Sequence, residues 1–310
     1  MSEAPLFYTA QTIHPEDRSK IISIRTGIRD IDRKIIGLNK QEISVFSGLR
    51  SSAKSSILSQ VSLNIADQGK KVALFSGELK ATKVLNWMQL QAAGRSNTVA
   101  TTYENFFTVE PQTLEEINQW IDQKIFIYNN DYGKKTENIL TAVEYCIKVK
   151  KIDVVILDNL MAIDLGATNF TKNEKQSEFI WKIKETAEKN NVHIILVAHP
   201  RKSLGFLRVD DIAGTADLTN AADNVFIIHR VNRDFRRLTA DMFGKDHEIY
   251  NYDNIIEICK NRDLGYQDEF IGLYFDVTCK QFSCDHSENI YGWRKKEEDN
   301  GDIRQQTYWN

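Results

Sequence analysis

The sequence predicts an α/β fold in which a mostly parallel central sheet is flanked by helices and gains antiparallel strands at its C-terminal end. The first observation is an alternation of strand-like and helix-like segments that begins at Ile43. Because parallel strands need crossover connections, this alternation predicts a parallel sheet. The second observation is a change after Pro200 to shorter β-rich pieces with no long helix between them. These pieces predict the antiparallel strands.

Each element is predicted from its own hydrophobic pattern. Short apolar runs predict strands near residues 43–47, 72–76, 124–128, 153–158 and 193–198. Apolar residues at helical spacing predict helices near residues 54–67, 80–93, 137–150 and 174–190. The later strands are expected at 225–230, 255–259 and 270–277. A short helix is expected from the segment 26–32, which reads T-G-I-R-D-I-D.

The length and composition favour one compact domain. The chain has 310 residues and 42% of them are hydrophobic, which is enough for a substantial core without disulfides. It contains four prolines and shows no internal repeat or low-complexity tract. We expect an N-terminal arm or linker over residues 1–22, one domain over 23–296 and a polar tail over 297–310.

Charge and cysteine content exclude several classes of protein. The formal net charge is −3, so any nucleic-acid contact must come from local Lys and Arg clusters. No apolar stretch approaches the ~18–20 residues of a membrane span, and the N-terminus lacks the basic start of a signal peptide. We therefore expect no membrane partner and a cytoplasmic location. The four cysteines lack C-x-x-C spacing, and incidental thiols are favoured over a metal site at Cys279, Cys284 and His286.

The most informative motif reads G-L-R-S-S-A-K-S-S over residues 48–56, directly after the first strand-like run. A glycine-rich turn between a strand and a helix directs backbone N–H groups at a phosphate, a lysine adds positive charge, and a serine hydroxyl suits Mg²⁺. Ala53 stands where the usual pattern has its second glycine. The motif predicts a nucleotide site at Gly48, Arg50, Ser51, Ser52, Ala53, Lys54, Ser55 and Ser56, with Mg²⁺ at Ser55.

Three further polar residues follow apolar strands. Asp158 ends the run V-V-I-L-D, where it would either hold a magnesium-bound water or cap the next turn. Glu78 follows the second strand, where it would either activate an attacking water or favour the start of a helix. His199 ends the fifth strand and would either sense phosphate or be structural. The nearby phosphate loop favours the metal reading for Asp158 and the catalytic reading for Glu78.

A basic segment, K-N-R over residues 260–262, follows a late strand. An arginine on such a turn could reach the phosphates that an adjacent subunit binds and supply charge to its transition state. As a solvated turn residue, Arg262 would need no function. The residues by themselves favour the interpretation as a solvated turn arginine.

Taken together, six motifs resemble the RecA-like motor domain of hexameric replicative DNA helicases, the DnaB family. They are T-G-I-R-D-I-D, G-L-R-S-S-A-K-S-S, F-S-G-E-L-K, V-V-I-L-D-N-L, V-A-H-P-R-K and C-K-N-R, and they cover roughly residues 20–282. The strand that ends in His199 looks closer to phage primase-helicases and the mitochondrial helicase Twinkle, and so does the segment D-I-A-G-T-A-D over residues 211–217. If a phage encodes the chain, the resemblance implies a location in the cytoplasm of the host cell. The resemblance implies a RecA-like P-loop NTPase core.

The resemblance implies ATP or another NTP as substrate, Mg²⁺ as cofactor, and a role for each site residue. Within the subunit, Lys54 would contact phosphate, and Ser55 and Asp158 would bind the metal. Glu78 would be the catalytic carboxylate, and His199 would be the γ-phosphate sensor. Arg262 would be an arginine finger with Lys260 as its companion, and both would act on the neighbour's nucleotide. Arg230 and Tyr274 match positions that can hold the nucleotide base.

The resemblance also implies partners. The DNA-contacting loops of the family correspond to residues 165–175 and 201–210. Their candidate contacts to single-stranded DNA are Asn169, Lys172, Lys175, Arg201, Lys202 and Arg208. Further partners would be other copies of the chain in a homo-hexameric ring, and a primase or polymerase. The sequence departs from the family at Ala53, and only residues 1–22 precede the motor, where the family has a segment that supports the ring.

Three functions remain open from the sequence. The first is an ATP-dependent replicative helicase motor that translocates on single-stranded DNA as a ring and hydrolyses NTP at subunit interfaces. The second is a RecA/RadA-like recombinase or a loader ATPase, which would exchange strands or load a partner rather than separate strands. The third is a non-catalytic nucleotide-binding accessory protein, which would bind ATP without turnover.

Overall fold

A computed structural model describes residues 8–13, 23–166, 171–201 and 205–294. Within them lie eleven strands: β1 (Ile43–Gly48), β2 (Val72–Ser76), β3 (Thr98–Ala100), β4 (Phe107–Val109), β5 (Ile125–Ile127), β6 (Val154–Asp158), β7 (His193–Val197), β8 (Asn224–Arg230), β9 (Asn254–Asn261), β10 (Glu269–Phe275) and β11 (Phe282–Ser283). The α-helices of the same residues are α1 (Arg29–Ile35), α2 (Lys54–Asp67), α3 (Ala81–Ala93), α4 (Pro111–Ile121), α5 (Thr136–Tyr145), α6 (Lys172–Asn190), α7 (Ala216–Ala221) and α8 (Arg233–Phe243).

The central sheet has the order β11-β10-β9-β8-β1-β7-β6-β2-β5. The six neighbouring strands β8-β1-β7-β6-β2-β5 run parallel to one another. Strand β1 lies between β7 and β8. Strands β9, β10 and β11 are each antiparallel to the strand before them. The structure therefore confirms the predicted α/β fold, with its mostly parallel sheet and its antiparallel strands at the C-terminal end.

Two expectations for the region after Pro200 were wrong. The piece at 225–230 was expected to be antiparallel, but β8 pairs with β1 in parallel, with Val45 opposite Val225. The same region also contains a helix of 11 residues, α8, although no long helix was expected. Helix α8 buries only Phe235 and Thr239, but its apolar residues Phe235, Leu238 and Met242 recur at helical spacing, so the sequence carried a signal for this helix.

The segment between α3 and β5 contains two strands and a helix that were not predicted from the sequence. Strands β3 and β4 form a separate antiparallel hairpin. Helix α4 begins at Pro111, whose fixed φ and missing N–H suit the first helical position. Its buried Ile117 and Ile121 join the core on one face of the sheet.

The core consists of two apolar layers, one on each face of the sheet. Along β1, Val45 belongs to the layer that contains residues of α5 and α6, and Phe46 belongs to the layer that contains residues of α2 and α3. All six residues of β1 are buried, as expected for a strand covered on both faces. The long apolar runs therefore form the middle of the sheet, and the polar residues that follow them lie at its carboxyl edge.

The segment T-G-I-R-D-I-D forms a braced turn before α1. The carboxylate of Asp32 accepts hydrogen bonds from the backbone N–H of Thr26 at 2.7 Å, from its hydroxyl at 2.8 Å, and from the N–H of Gly27 at 2.9 Å. Burial raises the pKa of Asp32 to about 6 despite these donors. A side chain on Gly27 would collide with Asn64 of α2, whose amide donates to the carbonyl of Thr26. This motif therefore fastens the N-terminal helix to α2.

Candidate nucleotide site

The loop between β1 and α2 has the strained backbone of a phosphate-binding turn. A Cβ on Gly48 would lie 2.4 Å from the carbonyl oxygen of Ile228, so this position requires glycine. Ser51 and Ala53 both have left-handed φ angles, 62° and 72°. At Ala53 this conformation costs about 1 kcal/mol relative to the glycine of the usual pattern. The loop thus holds Ala53 in a left-handed conformation that favours glycine.

Lys54 begins α2 and lies folded beneath the loop. Its ammonium donates to the carbonyl oxygens of Gly48 at 2.7 Å and Leu49 at 2.9 Å, and the residue is 7% exposed. Burial lowers its pKa to about 8, an effect that the carboxylates of Asp158 and Glu78 partly oppose. A buried ammonium whose charge is destabilised is suited to receive an anion.

Ser55 and Asp158 meet at the carboxyl edge of the sheet. The Ser55 hydroxyl donates to Asp158 Oδ2 at 2.6 Å, and burial raises the pKa of this carboxyl. The buried hydroxyls of Ser47 and Ser52 have no hydrogen-bond partner within the described residues. This set of oxygen donors fits Mg²⁺, which proteins commonly hold by one or two side chains together with substrate phosphates.

Glu78, Asn159 and His199 form a hydrogen-bonded group beside Asp158. The Asn159 amide donates to Glu78 Oε1 at 2.7 Å, and His199 Nε2 lies 2.9 Å from the same oxygen and from Asn159 Nδ2. The bond to His199 is the main cause that lowers the pKa of Glu78. Glu78 is 60% exposed, so water can reach its carboxylate.

Asn159 had no predicted role, although it follows Asp158 directly in the motif V-V-I-L-D-N-L. Its side-chain oxygen accepts from the backbone N–H of Ala162 at 3.1 Å, which fixes the amide so that its nitrogen faces Glu78 and His199. Its position at the end of an apolar strand was the sequence signal that could have predicted a role for Asn159. The three strands β2, β6 and β7 are neighbours in the sheet, which is why their ends converge here.

Lys260 and Arg262 lie at the opposite edge of the sheet. The N-terminal half of β1 pairs with β8 at Ser44 and Asn224, and Asn224 pairs with Asn261 of β9. Four residues of strand therefore separate this level from Gly48, or about 13 Å. The Arg262 guanidinium donates to Asp223 at 2.7 Å, and Lys260 donates to the carbonyl oxygen of Thr219 at 2.9 Å. Neither residue is placed to serve the phosphate loop of its own chain.

Arg230 and Tyr274 lie at the same edge as the phosphate loop. Arg230 is exposed at the end of β8, two residues beyond Ile228, which pairs with Gly48. Tyr274 stacks on His286 with ring centroids 3.6 Å apart. It lines a groove of about 570 Å³ between the end of β10 and the β3–β4 hairpin.

The two candidate DNA loops follow β6 and β7, so both leave the sheet at the edge that carries the phosphate loop. Lys175 donates to the carbonyl oxygen of Gly166, and Arg201 donates to that of Gly214 at 2.8 Å. The Arg208 guanidinium lies over the Phe206 ring, 4.7 Å from its centroid. Three further predicted contacts lie outside the described residues: Asn169, Lys202 and the side chain of Lys172.

Other kinds of site find little support in the structure. The four cysteines are free, and no group of three His, Cys, Asp or Glu residues in the described part of the chain could hold a metal ion. Among the described residues there is also no helix long and apolar enough to cross a bilayer.

The sequence matches the family of the DnaB-like helicase C-terminal domain over residues 23–283. Two curated relatives, the replicative DNA helicases DnaB of Rickettsia prowazekii (strain Madrid E) and Rickettsia typhi (strain ATCC VR-144 / Wilmington), are each 21% identical over 298 residues. The alignments cover 86% of this chain but 59% and 58% of the relatives. The chain therefore spans about three fifths of their length.

Two solved structures share the fold. An ATPase domain matches with a TM-score of 0.67 and 17% identity, over 86% of this chain and 93% of that chain. A DnaB-like replicative helicase, solved in a study of its interactions with primase, matches with a TM-score of 0.67 and 18% identity, over 85% of this chain and 62% of that chain. These likenesses support the predicted RecA-like core. Because the family match covers most of the sequence, the chain belongs to the family of DnaB-like helicase C-terminal domains.

Proposed function

We propose that this chain is the NTP-hydrolysing motor of a replicative DNA helicase that translocates on single-stranded DNA as a ring. The convergence of Lys54, Ser55, Asp158 and Glu78 at one edge of the sheet is the observation that carries the proposal. A recombinase shares such residues, and the family match favours the helicase.

In the proposed reaction, Lys54 binds the phosphates of the NTP and exchanges its bonds to loop carbonyls for bonds to phosphate oxygens. Glu78 accepts a proton from the attacking water, and Asn159 and His199 hold its carboxylate in place. His199 contacts the γ-phosphate and thereby senses its loss. The Ser52 hydroxyl, which has no hydrogen-bond partner in the described part of the chain, and the loop N–H groups provide further donors for phosphate.

Ser55 and Asp158 would hold Mg²⁺, which when bound neutralises charge on the phosphate oxygens. The oxygen donors at this position carry the assignment. Asp158 has a raised pKa in the nucleotide-free fold, so a cation beside it would favour its ionised form.

Arg262 cannot serve its own phosphate loop from the opposite sheet edge, so we propose that it acts on the neighbour's nucleotide, with Lys260 beside it. Arg230 and Tyr274 would hold the base. The DNA loops would face the strand with Asn169, Lys172, Lys175, Arg201, Lys202 and Arg208. The same proposal includes a motor domain over residues 23–296, which assembles as a homo-hexamer in the cytoplasm. It also includes a primase or polymerase as a partner.

The deciding experiment measures ATP hydrolysis with and without single-stranded DNA on a sample whose mass is determined by light scattering. A ring-sized species whose turnover rises with DNA supports the helicase motor. A monomer that binds nucleotide without turnover favours the accessory protein. Strand exchange without strand separation favours the recombinase.

The Glu78→Gln variant tests the site itself. We expect hydrolysis to fall by about 10²-fold or more, because a glutamine cannot accept the proton, while nucleotide binding stays within a few-fold. Glu104→Gln, at an exposed glutamate between β3 and β4, is the control and should leave both unchanged. Full hydrolysis in Glu78→Gln would refute the catalytic role of Glu78.

A further inference from the structure

Lys134 lies in the loop between β5 and α5 and belongs to none of the groups described above. Its half-buried ammonium donates to the carbonyl oxygen of Gly77, the residue directly before Glu78. The amide of Gly77 donates to the carbonyl oxygen of Asp158 at 2.5 Å. Gly77 is therefore held at both its N–H and its carbonyl oxygen, by a strand neighbour and by Lys134, and its carbonyl oxygen lies in the peptide that joins it to Glu78.

The position of Gly77 leaves this peptide little freedom on its other side. A Cβ on Gly77 would lie 2.2 Å from the Cβ of Ala162, in the turn that follows Asp158. The loop that bears Lys134 also contributes Asn130, whose amide donates to the carbonyl oxygen of Ser76 at 2.9 Å. A displacement of the Lys134 loop would therefore be felt at the backbone of Glu78.

The same lysine is tied through its backbone to the first candidate DNA loop. Its carbonyl oxygen accepts from the N–H of Asp164 at 2.8 Å, and Thr136 donates back to the Asp164 carbonyl oxygen at 2.9 Å. The Asp164 carboxylate accepts from the N–H of Gly166 at 2.9 Å, and the Gly166 carbonyl oxygen accepts from Lys175. A continuous series of hydrogen bonds thus joins a predicted DNA contact to the peptide of Glu78.

We infer that Lys134 is a positioning residue that transmits occupancy of the DNA loop to the catalytic carboxylate. When DNA draws Lys175 away from Gly166, the Asp164 segment shifts, and the Lys134 ammonium carries that shift to the Gly77 carbonyl oxygen. The carboxylate of Glu78 then changes its position relative to Asn159 and His199. This inference rests on the proposed function and explains how DNA would stimulate hydrolysis.

The test compares Lys134→Met, which keeps the aliphatic chain and removes the ammonium, with Lys135→Met at the exposed neighbouring lysine. Basal hydrolysis, DNA-stimulated hydrolysis and affinity for single-stranded DNA are measured for each. We expect the ratio of stimulated to basal turnover to fall by about tenfold in Lys134→Met, with DNA affinity unchanged, because couplings of this size are usual between two sites. Lys135→Met should behave as wild type, and Lys134→Arg should restore much of the ratio.

A second pair of variants tests the other end of the connection. Asp164 is exposed, so its replacement should not disturb the core. Asp164→Ala removes the acceptor of the Gly166 N–H and should lower the ratio of stimulated to basal turnover, whereas Asp164→Asn retains an acceptor oxygen and should not. This pair decides the question even when Lys134→Met does not fold.

The outcomes separate the two proposals. Equal losses of basal and stimulated turnover in Lys134→Met would overturn the coupling, since the lysine would then only support the site. A loss of DNA affinity would also overturn it, because Lys134 would be a DNA contact. Stimulation that survives in Lys134→Met refutes the coupling alone, and a wild type without stimulation refutes the proposed function as well.

Discussion

At the scale of single residues, the burial of Lys54 disfavours its charged form when no ligand is bound. In the free site the ammonium is buried against two carbonyl oxygens of its own loop, and its pKa is lowered to about 8. Bound phosphate would stabilise the charged form and raise this pKa again. Nucleotide binding at alkaline pH should therefore draw a proton from solution.

Calorimetry measures this uptake when the binding heat is compared in two buffers of different ionisation enthalpy. At about pH 8.5, above this pKa, many of the Lys54 side chains are neutral, so we expect Lys54 to take up protons on nucleotide binding, and to take up more as the pH rises. At about pH 6.5 the lysine is already protonated, so its contribution to the difference in heat between the two buffers should vanish. Affinity should accordingly weaken as the pH rises above 8. Equal heats at the alkaline pH would contradict the role of Lys54.

At the scale of elements, the two loops after β6 and β7 carry the predicted DNA contacts. Each phosphate contact on single-stranded DNA contributes about 0.7 to the slope of log affinity against log salt. Lys175→Gln and Arg201→Gln should each reduce the slope by about that amount, and the two losses should add. The measurement is a salt titration of DNA binding followed by fluorescence anisotropy.

The control for these loops is Lys189→Gln, in the last turn of α6. Lys175 and Lys189 lie on the same helix, but Lys189 is at the end remote from the loop and pairs with Glu185. Its replacement should leave the slope unchanged. An equal effect of all three substitutions would mean that the loops do not specifically contact DNA.

The sequence predicted a strand or helix well where neighbouring residues alone carry its hydrophobic pattern. Asp158, Glu78 and His199 each end or follow an apolar run, and parallel strands bring such ends to one edge. The pairing of β8 with β1 could not be predicted in the same way, because it depends on which strand the chain returns to. Helix α8 has mostly polar residues and carries its apolar contacts in a small separate cluster around Phe235.

Contacts between side chains that are far apart in the sequence were the part of the site that the sequence could least predict. Asn159 faces Glu78 across 81 positions of sequence, and Arg262 meets Asp223 across 39. Neither pair leaves a spacing pattern, since each depends on strand order. Lys134 is a similar case, because its ammonium meets the backbone of a residue 57 positions away.

At the scale of the whole molecule, the phosphate loop and Arg262 lie at opposite edges of one sheet. Arg262→Ala should lower hydrolysis by roughly 10³-fold, as expected for a lost arginine finger. When Arg262→Ala is mixed with Glu78→Gln, a site that takes Glu78 from an Arg262→Ala subunit and Arg262 from a Glu78→Gln neighbour is complete, so two variants that are each nearly inactive should regain hydrolysis together. Steady-state hydrolysis over a series of mixing ratios measures this.

Arg237→Ala is the matched control, because Arg237 is exposed on α8 and pairs locally with Asp234. It should keep full activity, and its mixtures with Glu78→Gln should show no more activity than its own fraction supplies. A mixture of Arg262→Ala with Glu78→Gln that stays inactive would mean that Arg262 does not complete a neighbour's site.

On the proposal that Arg262 completes a neighbour's nucleotide site, its placement opposite the phosphate loop gives each copy a front and a back. Contacts that join front to back are heterologous, so they continue along a row of copies until the row closes on itself. An open row would always contain one complete site fewer than it has copies, and a lone copy would contain none. The rate of hydrolysis per copy should therefore rise with protein concentration, and dilution alone should be enough to abolish hydrolysis.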